Sequence, residues 1–226
     1  MIEIDFMKKK ILLIATLLIA FFVFAKVNSN QVEKAFSTIN KKIEQSVQDG
    51  DIIFQTSQSK QCEAVRIATN SKFSHCGIIY VINGEKYVFE AVQPVKTTLL
   101  SEWIKHGEGN KYLVKRLKNS SEILTPEVIS KMKNYGKQFD KKDYDLYFEW
   151  TDDKIYCSEL VWKIYKNSVG IELCPLEKLK SFNLADEKVK KILKERYGNK
   201  IPLEEKVVAP SQLVNSTFLE TIIDTY

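Results

Sequence analysis

Histidine and cysteine are scarce in this sequence. Its 226 residues include two histidines, His75 and His106, and four cysteines. The cysteines form no C-x-x-C pair and the histidines have no finger-like spacing, which argues against a zinc site. The G-x-S-x-G, H-E-x-x-H and P-loop motifs are also missing. We therefore expect neither a metal nor a cofactor, and any chemistry that needs imidazole must use one of the two histidines.

Glycine and proline are also few, with eight and five residues, and they form no linker. Apolar residues make up 44% and charged residues 28%, which argues against wholesale disorder, collagen and a multi-span membrane protein. The 34 basic and 29 acidic residues are spread along the chain, so the net charge of +5 forms no basic stripe and we expect no nucleic-acid partner. One folded domain over residues 31–226 is the simplest organisation.

The N-terminus has the pattern of a secretory leader. Three lysines, residues 8–10, precede the apolar run Ile11–Ala25, and small or polar residues follow it. This run is shorter than the roughly 20 residues that cross a bilayer, so we predict a signal peptide over residues 1–25, or an N-terminal anchor if it stays uncleaved. The protein would then be periplasmic or secreted, with membrane contact only through an uncleaved leader. Outside the cytosol its cysteines could form disulfides.

Apolar periodicity predicts helices and strands in irregular order, which indicates the α+β class. Helices are expected over residues 31–48, 60–68, 125–135, 155–169 and 186–197, with shorter ones around 103 and after 210. Strands are expected over residues 51–54, 74–82, 85–92, 111–117 and 206–209. The polar and aromatic segment 136–154 is expected to be a loop that covers another part of the protein.

The dipeptide Asn83-Gly84 separates two β-rich segments and predicts a two-residue hairpin turn. With that turn, His75 lies opposite Val92 and Gly77 lies opposite Glu90. All four side chains then share one face, because side chains alternate along a strand. His75 and Glu90 become diagonal neighbours about 7–8 Å apart at the backbone. A carboxylate in that position can fix the tautomer of the imidazole and leave its other nitrogen free to act as a base.

The candidate nucleophile is Cys157, at the start of the apolar helix over 155–169. Unpaired N–H groups and the positive end of the helix dipole favour a thiolate there and could stabilise an oxyanion. Together with His75 and Glu90 it would form a Cys-His-Glu triad.

The same residues also have a purely structural interpretation. A histidine on a strand is often buried in a core with its ring nitrogens hydrogen-bonded, and a cysteine at the start of a buried helix is often only a small apolar residue. Cys76 points away from the face of His75, which indicates core packing or a disulfide. Cys62 and Cys174 are interpreted as core or bridge residues, and His106 as a solvated loop residue.

Four segments in this order resemble the YiiX-like group of permuted papain-like cysteine hydrolases in the NlpC/P60 superfamily. They are Asp49-Gly50-Asp51-Ile52-Ile53-Phe54, Phe73-Ser74-His75-Cys76-Gly77-Ile78, Val88-Phe89-Glu90-Ala91 and Ile155-Tyr156-Cys157-Ser158-Glu159-Leu160-Val161. The resemblance implies a circularly permuted papain-like fold, with a small antiparallel sheet packed against helices.

The resemblance also implies a role for individual residues. Cys157 would be the nucleophile, His75 the general base and Glu90 the residue that orients the imidazole. Tyr156, Ser74 and Trp103 would bind substrate along the cleft.

The leading hypothesis is an exported cysteine hydrolase that cleaves an amide bond in a cell-wall peptide or another short peptide. Two alternatives are a lipid acyl hydrolase or acyltransferase with the same triad, and a catalytically silent binding module. The lining of the cleft distinguishes the peptide hydrolase from the lipid enzyme, because an acyl chain needs an apolar tunnel whereas a peptide amino group needs a polar, acidic pocket. Thiol labelling separates both from the silent module.

Overall fold

The structure is a computed structural model that describes residues 26 and 46–226. The predicted leader over residues 1–25, and nearly all of the helix predicted over 31–48, lie outside the described residues. The fold described below covers Val47–Tyr226.

Eight strands and seven α-helices lie between residues 47 and 226. The strands are β1 (Ile52–Gln55), β2 (His75–Ile82), β3 (Glu85–Glu90), β4 (Lys96–Leu99), β5 (Leu113–Leu117), β6 (Glu177–Lys178), β7 (Lys206–Val207) and β8 (Leu219–Asp224). The α-helices are α1 (Lys60–Thr69), α2 (Leu100–Lys105), α3 (Ser120–Ile123), α4 (Pro126–Gly136), α5 (Cys157–Val169), α6 (Glu187–Tyr197) and α7 (Pro210–Val214). Short 3₁₀ turns lie at Glu108–Asn110, Lys137–Phe139 and Leu179–Ser181. None of these helices is long and apolar enough to cross a bilayer.

Six strands form one sheet in the order β4-β3-β2-β1-β5-β8, with every neighbouring pair antiparallel. Strands β6 and β7 pair separately. This mixture of helices and an antiparallel sheet confirms the predicted α+β class. The helices expected over 60–68, 125–135, 155–169 and 186–197 are all present, with ends within two residues of the prediction.

The hairpin between β2 and β3 has the predicted register. Ile82 pairs with Glu85 and Ile78 pairs with Phe89, on either side of Asn83 and Gly84. Both turn residues have positive φ, 53° and 83°, as a type I′ turn requires. Continuing this register places Glu90 across from residue 77, two residues along the strand from His75 and on the same face.

Gly77 lets β2 and β3 approach closely at this point. A Cβ atom at residue 77 would lie 2.4 Å from Cγ1 of Val88 and 2.8 Å from the carbonyl oxygen of Phe89. Since the second neighbour is backbone, a larger residue would displace β3, the strand that carries Glu90.

Helix α5 packs its apolar side against the sheet. Its buried side chains recur at helical spacing, and burial of each is worth about 1.5–3 kcal/mol. The helix side of this core contains Leu160, Val161, Ile164 and Tyr165, and the sheet side contains Ile52, Phe54, Cys76 and Ile78. The hydroxyl of Tyr165 donates to the carbonyl of Gly50, and the helix ends at Gly170 with a φ of 82°. These contacts fix the helix that begins at Cys157 over the strand that begins at His75.

A second, smaller apolar cluster joins α1 to α6. It contains Ala64, Leu179, Val189 and Leu193. Residues of this cluster and of the main core line a common pocket, described below.

Candidate active site

His75 and Glu90 meet on the β2–β3 hairpin. The Nε2 atom of His75 lies 2.6 Å from Oε2 of Glu90, and both side chains are buried. The diagonal pair expected from the sequence is therefore in direct contact. Because Nε2 faces the carboxylate, Nδ1 is the ring nitrogen left for another partner.

Two further donors hold the Glu90 carboxylate. The hydroxyl of Thr98 donates to Oε1 at 2.6 Å, and the indole N–H of Trp103 donates to Oε2 at 2.8 Å. Burial alone would raise the pKa of Glu90, but the hydrogen bond and charge of His75 and the two donors outweigh burial and lower it. Glu90 therefore stays ionised and fixed in direction.

Trp103 occupies a different place from the cleft wall that the resemblance implied. Its side chain has no exposed surface, and its ring stacks on His75 with centroids 5.8 Å apart and an interplanar angle of 24°. Within the described structure it is not among the residues that line the pocket. Trp103 is thus placed to position His75 and Glu90 rather than to contact substrate.

Cys157 is the first residue of α5, as the sequence predicted. The helix start is held by Glu159, whose Oε2 accepts from the backbone N–H of Tyr156 at 3.4 Å. Glu159 also pairs with Lys163 at 2.8 Å, and burial, opposed by that lysine, raises its pKa to about 8. The side chains around the first turn therefore fix the backbone from which the thiol projects.

The thiol of Cys157 lies beside His75, and each group shifts the pKa of the other, so the three predicted residues come together. Burial alone would lower the pKa of His75, but hydrogen bonds to Cys157 and Glu90 outweigh it and raise the pKa to about 10. A hydrogen bond from Cys76, opposed by burial and aided by His75, holds the pKa of the Cys157 thiol well below its usual range. The arrangement favours a thiolate–imidazolium pair.

Cys76 is a second thiol at the nucleophile, a role that the sequence analysis did not assign. It is fully buried in the core, as its strand face indicates, and all four cysteines of the chain are free. Burial and the nearby Cys157 raise the pKa of Cys76, so its thiol stays protonated beside Cys157. The thiol and the backbone N–H of Cys76 both help to lower the pKa of Cys157.

Tyr144 is a third group at the sulfur that sequence reasoning missed. Its hydroxyl lies near Cys157, and burial together with the charge of Cys157 raises the pKa of this hydroxyl well above the usual value. The backbone N–H of Tyr144 donates to Oε1 of Gln93 at 2.8 Å, and Nε2 of Gln61 lies 3.4 Å from its hydroxyl. The only signal was the aromatic content of the segment 136–154, whose path a sequence pattern does not specify.

A pocket with a cavity volume of about 90 Å³ contains Cys157. Ser74 and Tyr156, two of the three residues expected to bind substrate, line it. The hydroxyl of Ser74 accepts from the N–H of Ser57 at 2.9 Å, and that of Tyr156 accepts from the N–H of Val208 at 3.1 Å. The remaining walls are mainly apolar, from α1, α6 and the segment before α7: Ala64, Val65, Ala68, Leu179, Phe182, Leu184, Val189, Ile192, Leu193, Val207, Val208, Ala209 and Pro210.

A histidine on a hairpin, a cysteine at a helix start and an orienting carboxylate define a cysteine hydrolase of the permuted papain-like class. The family model for peptidase C92, permuted papain-like amidases of the YaeF/YiiX type, matches residues 46–223, and the chain belongs to this family.

Two similar proteins carry the name YiiX. The chain is 46% identical to uncharacterized protein YiiX of Escherichia coli strain K12 over 175 residues, covering 77% of this chain and 85% of that protein. The crystal structure of metalloprotein YiiX from Escherichia coli O157:H7 matches with a TM-score of 0.77 and 45% identity, covering 80% of this chain and 99% of that one. The predicted family and fold class are thereby confirmed.

Proposed function

We propose that this protein hydrolyses an amide bond to an apolar acyl group, with Cys157 as nucleophile, His75 as acid and base, and Glu90 as the residue that orients His75. Membership of the amidase family supports the reaction class. The observation that carries the substrate class is the apolar pocket in which Cys157 lies.

The proposed reaction has two steps. The thiolate of Cys157 attacks the carbonyl carbon, and Nδ1 of His75 gives its proton to the leaving amine as the C–N bond breaks, which leaves a thioester. The neutral imidazole then takes a proton from water, whose oxygen attacks the thioester and releases the carboxylic acid. Acylation removes the charge on sulfur, so the pKa of His75 falls and the ring becomes a base when the second step needs one.

Donors for the oxyanion lie beside the sulfur. The first turn of α5 has free backbone N–H groups. The hydroxyl of Tyr144 and the thiol of Cys76 lie beside the sulfur of Cys157, where they can donate to the thiolate in the resting protein. When the sulfur becomes a neutral thioether or thioester, these two donors lose a charged partner. The Tyr144 hydroxyl is then available to the developing oxyanion.

The lining of the pocket supports an acyl substrate better than the short peptide that the sequence analysis put first. A peptide with a free amino group requires a carboxylate to bind it, and no Asp or Glu is among the described residues that line the pocket. A hydrocarbon chain gains about 0.8 kcal/mol for each CH₂ that such a surface buries. An acyl hydrolase is therefore favoured over a cell-wall peptidase.

No step is assigned to a metal. One relative is described as a metalloprotein. In the described part of this chain, no three His, Cys, Asp or Glu side chains come together as a set of metal ligands. The residues present do not fit a bound metal, and the proposed chemistry uses only the side chains named above.

We further propose that the reaction takes place outside the cytoplasm, because residues 1–25 have the pattern of a secretory leader. Alkaline phosphatase fused after residue 60 should be active in bacteria, and the same fusion lacking residues 1–25 should be inactive. Activity of both fusions, or of neither, would contradict export by this segment.

The substrate class is tested with p-nitroanilides of acetyl, hexanoyl and dodecanoyl groups. We expect kcat/KM to rise by up to about fourfold per CH₂ until the chain fills the pocket. Acid quenching should trap a protein whose mass has increased by the acyl group, and the mass increase should be absent in Cys157→Ala. Equal rates for all chain lengths, with faster cleavage of a short peptide amide, would contradict the acyl assignment.

A further inference from the structure

One charged side chain faces the otherwise apolar pocket. Apart from the thiol of Cys157, Arg196 is the side chain charged near neutral pH among the described residues that line it. It lies in the last turn of α6 and is half-buried. A guanidinium in an apolar wall loses hydration, so the position calls for an anionic partner.

The protein itself supplies no such partner in the described structure. The guanidinium of Arg196 makes no ion pair or hydrogen bond with any residue in 46–226, and its carbon lies 5.4 Å from the centre of the Phe148 ring. The face of an aromatic ring attracts a guanidinium but accepts no strong hydrogen bond, so the N–H donors of the arginine remain available. By contrast, Lys188 and Lys190 on the exposed side of α6 pair with Glu63 and Glu187 at 2.5 and 2.8 Å. Lys191 and Lys194 are exposed to solvent, so Arg196 is the cation of this helix that faces the pocket.

We propose that Arg196 binds an oxyanion of the substrate, a carboxylate or a phosphate, so that the substrate is an anionic acyl compound. The planar fork of the guanidinium can donate two parallel hydrogen bonds to either group. This proposal rests on the proposed function for the acyl chain of the substrate. It adds that the substrate also carries a negatively charged group, which Arg196 binds.

Binding is measured by calorimetry with the Cys157→Ala protein, which does not turn the ligands over. The ligands are N-dodecanoylglycine, its neutral glycinamide analogue and dodecyl phosphate. We expect the two anions to bind at least about tenfold more tightly than the neutral amide. Whichever anion binds more tightly identifies the group as carboxylate or phosphate.

Adding Arg196→Gln should weaken binding of both anions about tenfold to hundredfold and leave the neutral amide unchanged. Arg196→Lys should be intermediate, because it keeps the charge and loses the fork. The matched control is Lys191→Gln, which removes the same charge from an exposed position of the same helix. Lys191→Gln should leave the affinity for both anions and for the neutral amide unchanged.

Equal affinity for the acid and the amide would overturn the inference. An equal loss of affinity for all three ligands in Arg196→Gln would also overturn it, because the arginine would then act by stabilising the end of α6. These results are separable from failure of the proposed function. Anion selectivity without hydrolysis contradicts only the reaction, and chain-length-dependent hydrolysis without anion selectivity contradicts only the role of Arg196.

Discussion

Replacing Cys157 with alanine should lower hydrolysis of the dodecanoyl anilide by at least about 10³-fold, because the neighbouring thiol of Cys76 is fully buried and protonated and cannot replace it as nucleophile. The thiol is small and buried, so the substitution should cost little stability. Initial rates, with a thermal melt to show that the variant is folded, measure the effect. Cys62→Ala is the matched control, and we expect it to keep full activity.

The same substitution should remove a fast alkylation at low pH. The depressed pKa of Cys157 makes its sulfur a thiolate at pH values where an ordinary thiol, with a pKa of about 8.5, is protonated. The imidazolium that supports this thiolate persists until the pH rises through the His75 pKa of about 10. Alkylation by iodoacetamide should therefore be nearly constant from about pH 6 to 9.

At pH 6 the folded protein should react at least about tenfold faster than the same chain in denaturant, after allowance for the lower nucleophilicity of an acidic thiol. Cys157→Ala and His75→Gln should both lose this phase, whereas Cys62→Ala should retain it. A folded protein whose alkylation rises with pH like that of the unfolded chain would contradict the thiolate–imidazolium pair and favour a silent binding module.

The hairpin explains why two members of the site could be located from sequence. Asn83-Gly84 fixes a two-residue turn, and the turn fixes the register, so the diagonal placement of His75 and Glu90 follows from counting. Cys157 was found because an apolar helical repeat begins just beyond it. In each case the information is local, within one hairpin or one helix.

Other residues at the site depend on how distant segments pack. Tyr144 lies in a loop near the sulfur of Cys157, and Arg196 lines the pocket because α6 packs against α1. Neither position follows from the spacing of apolar residues in the sequence. For Cys76, strand alternation correctly indicated core packing, but the position of α5 over that strand decides that its thiol meets Cys157. Trp103 was recognised as a large ring near the site, yet its N–H donates inward to Glu90.

Three strands were also missed: the two-residue β6, and β4 and β8, which lie at the two edges of the six-stranded sheet. In β4, Lys96–Leu99, Thr98 is the one buried residue, so no apolar alternation marks the strand. In β8, Leu219–Asp224, the apolar residues do not alternate, and the strand pairs with β5 from the far end of the chain. Edge strands need little apolar surface, because only one neighbour covers them.

Glu90→Ala should lower kcat by about 10²–10⁴-fold, the second large effect expected at this site. The substitution leaves Nε2 of His75, the indole N–H of Trp103 and the hydroxyl of Thr98 without their buried acceptor. Each unsatisfied group costs about 1–3 kcal/mol, so the melting temperature should fall as well. Steady-state kinetics and a thermal melt measure the two effects.

The substitution Glu90→Gln distinguishes the effect of the negative charge of Glu90 from its effect on the orientation of the His75 ring. Its amide oxygen can still accept from His75 and Trp103, but the negative charge that helps to raise the pKa of His75 is gone. The imidazolium is then less stable and supports the thiolate of Cys157 less well. We therefore expect the acid limb of the kcat/KM profile to move to higher pH while the fold stays stable.

Thr98→Val is the matched control for Glu90→Gln, because it removes one hydrogen bond to Glu90 and leaves the carboxylate charged. We expect a loss of less than about tenfold in kcat and an acid limb close to that of the unmodified protein. If Glu90→Gln and Thr98→Val had the same pH profile as the unmodified protein, the charge of Glu90 would have no part in forming the thiolate. Its role would then be to orient the ring of His75 alone, through the geometry that Trp103 and Thr98 hold in place.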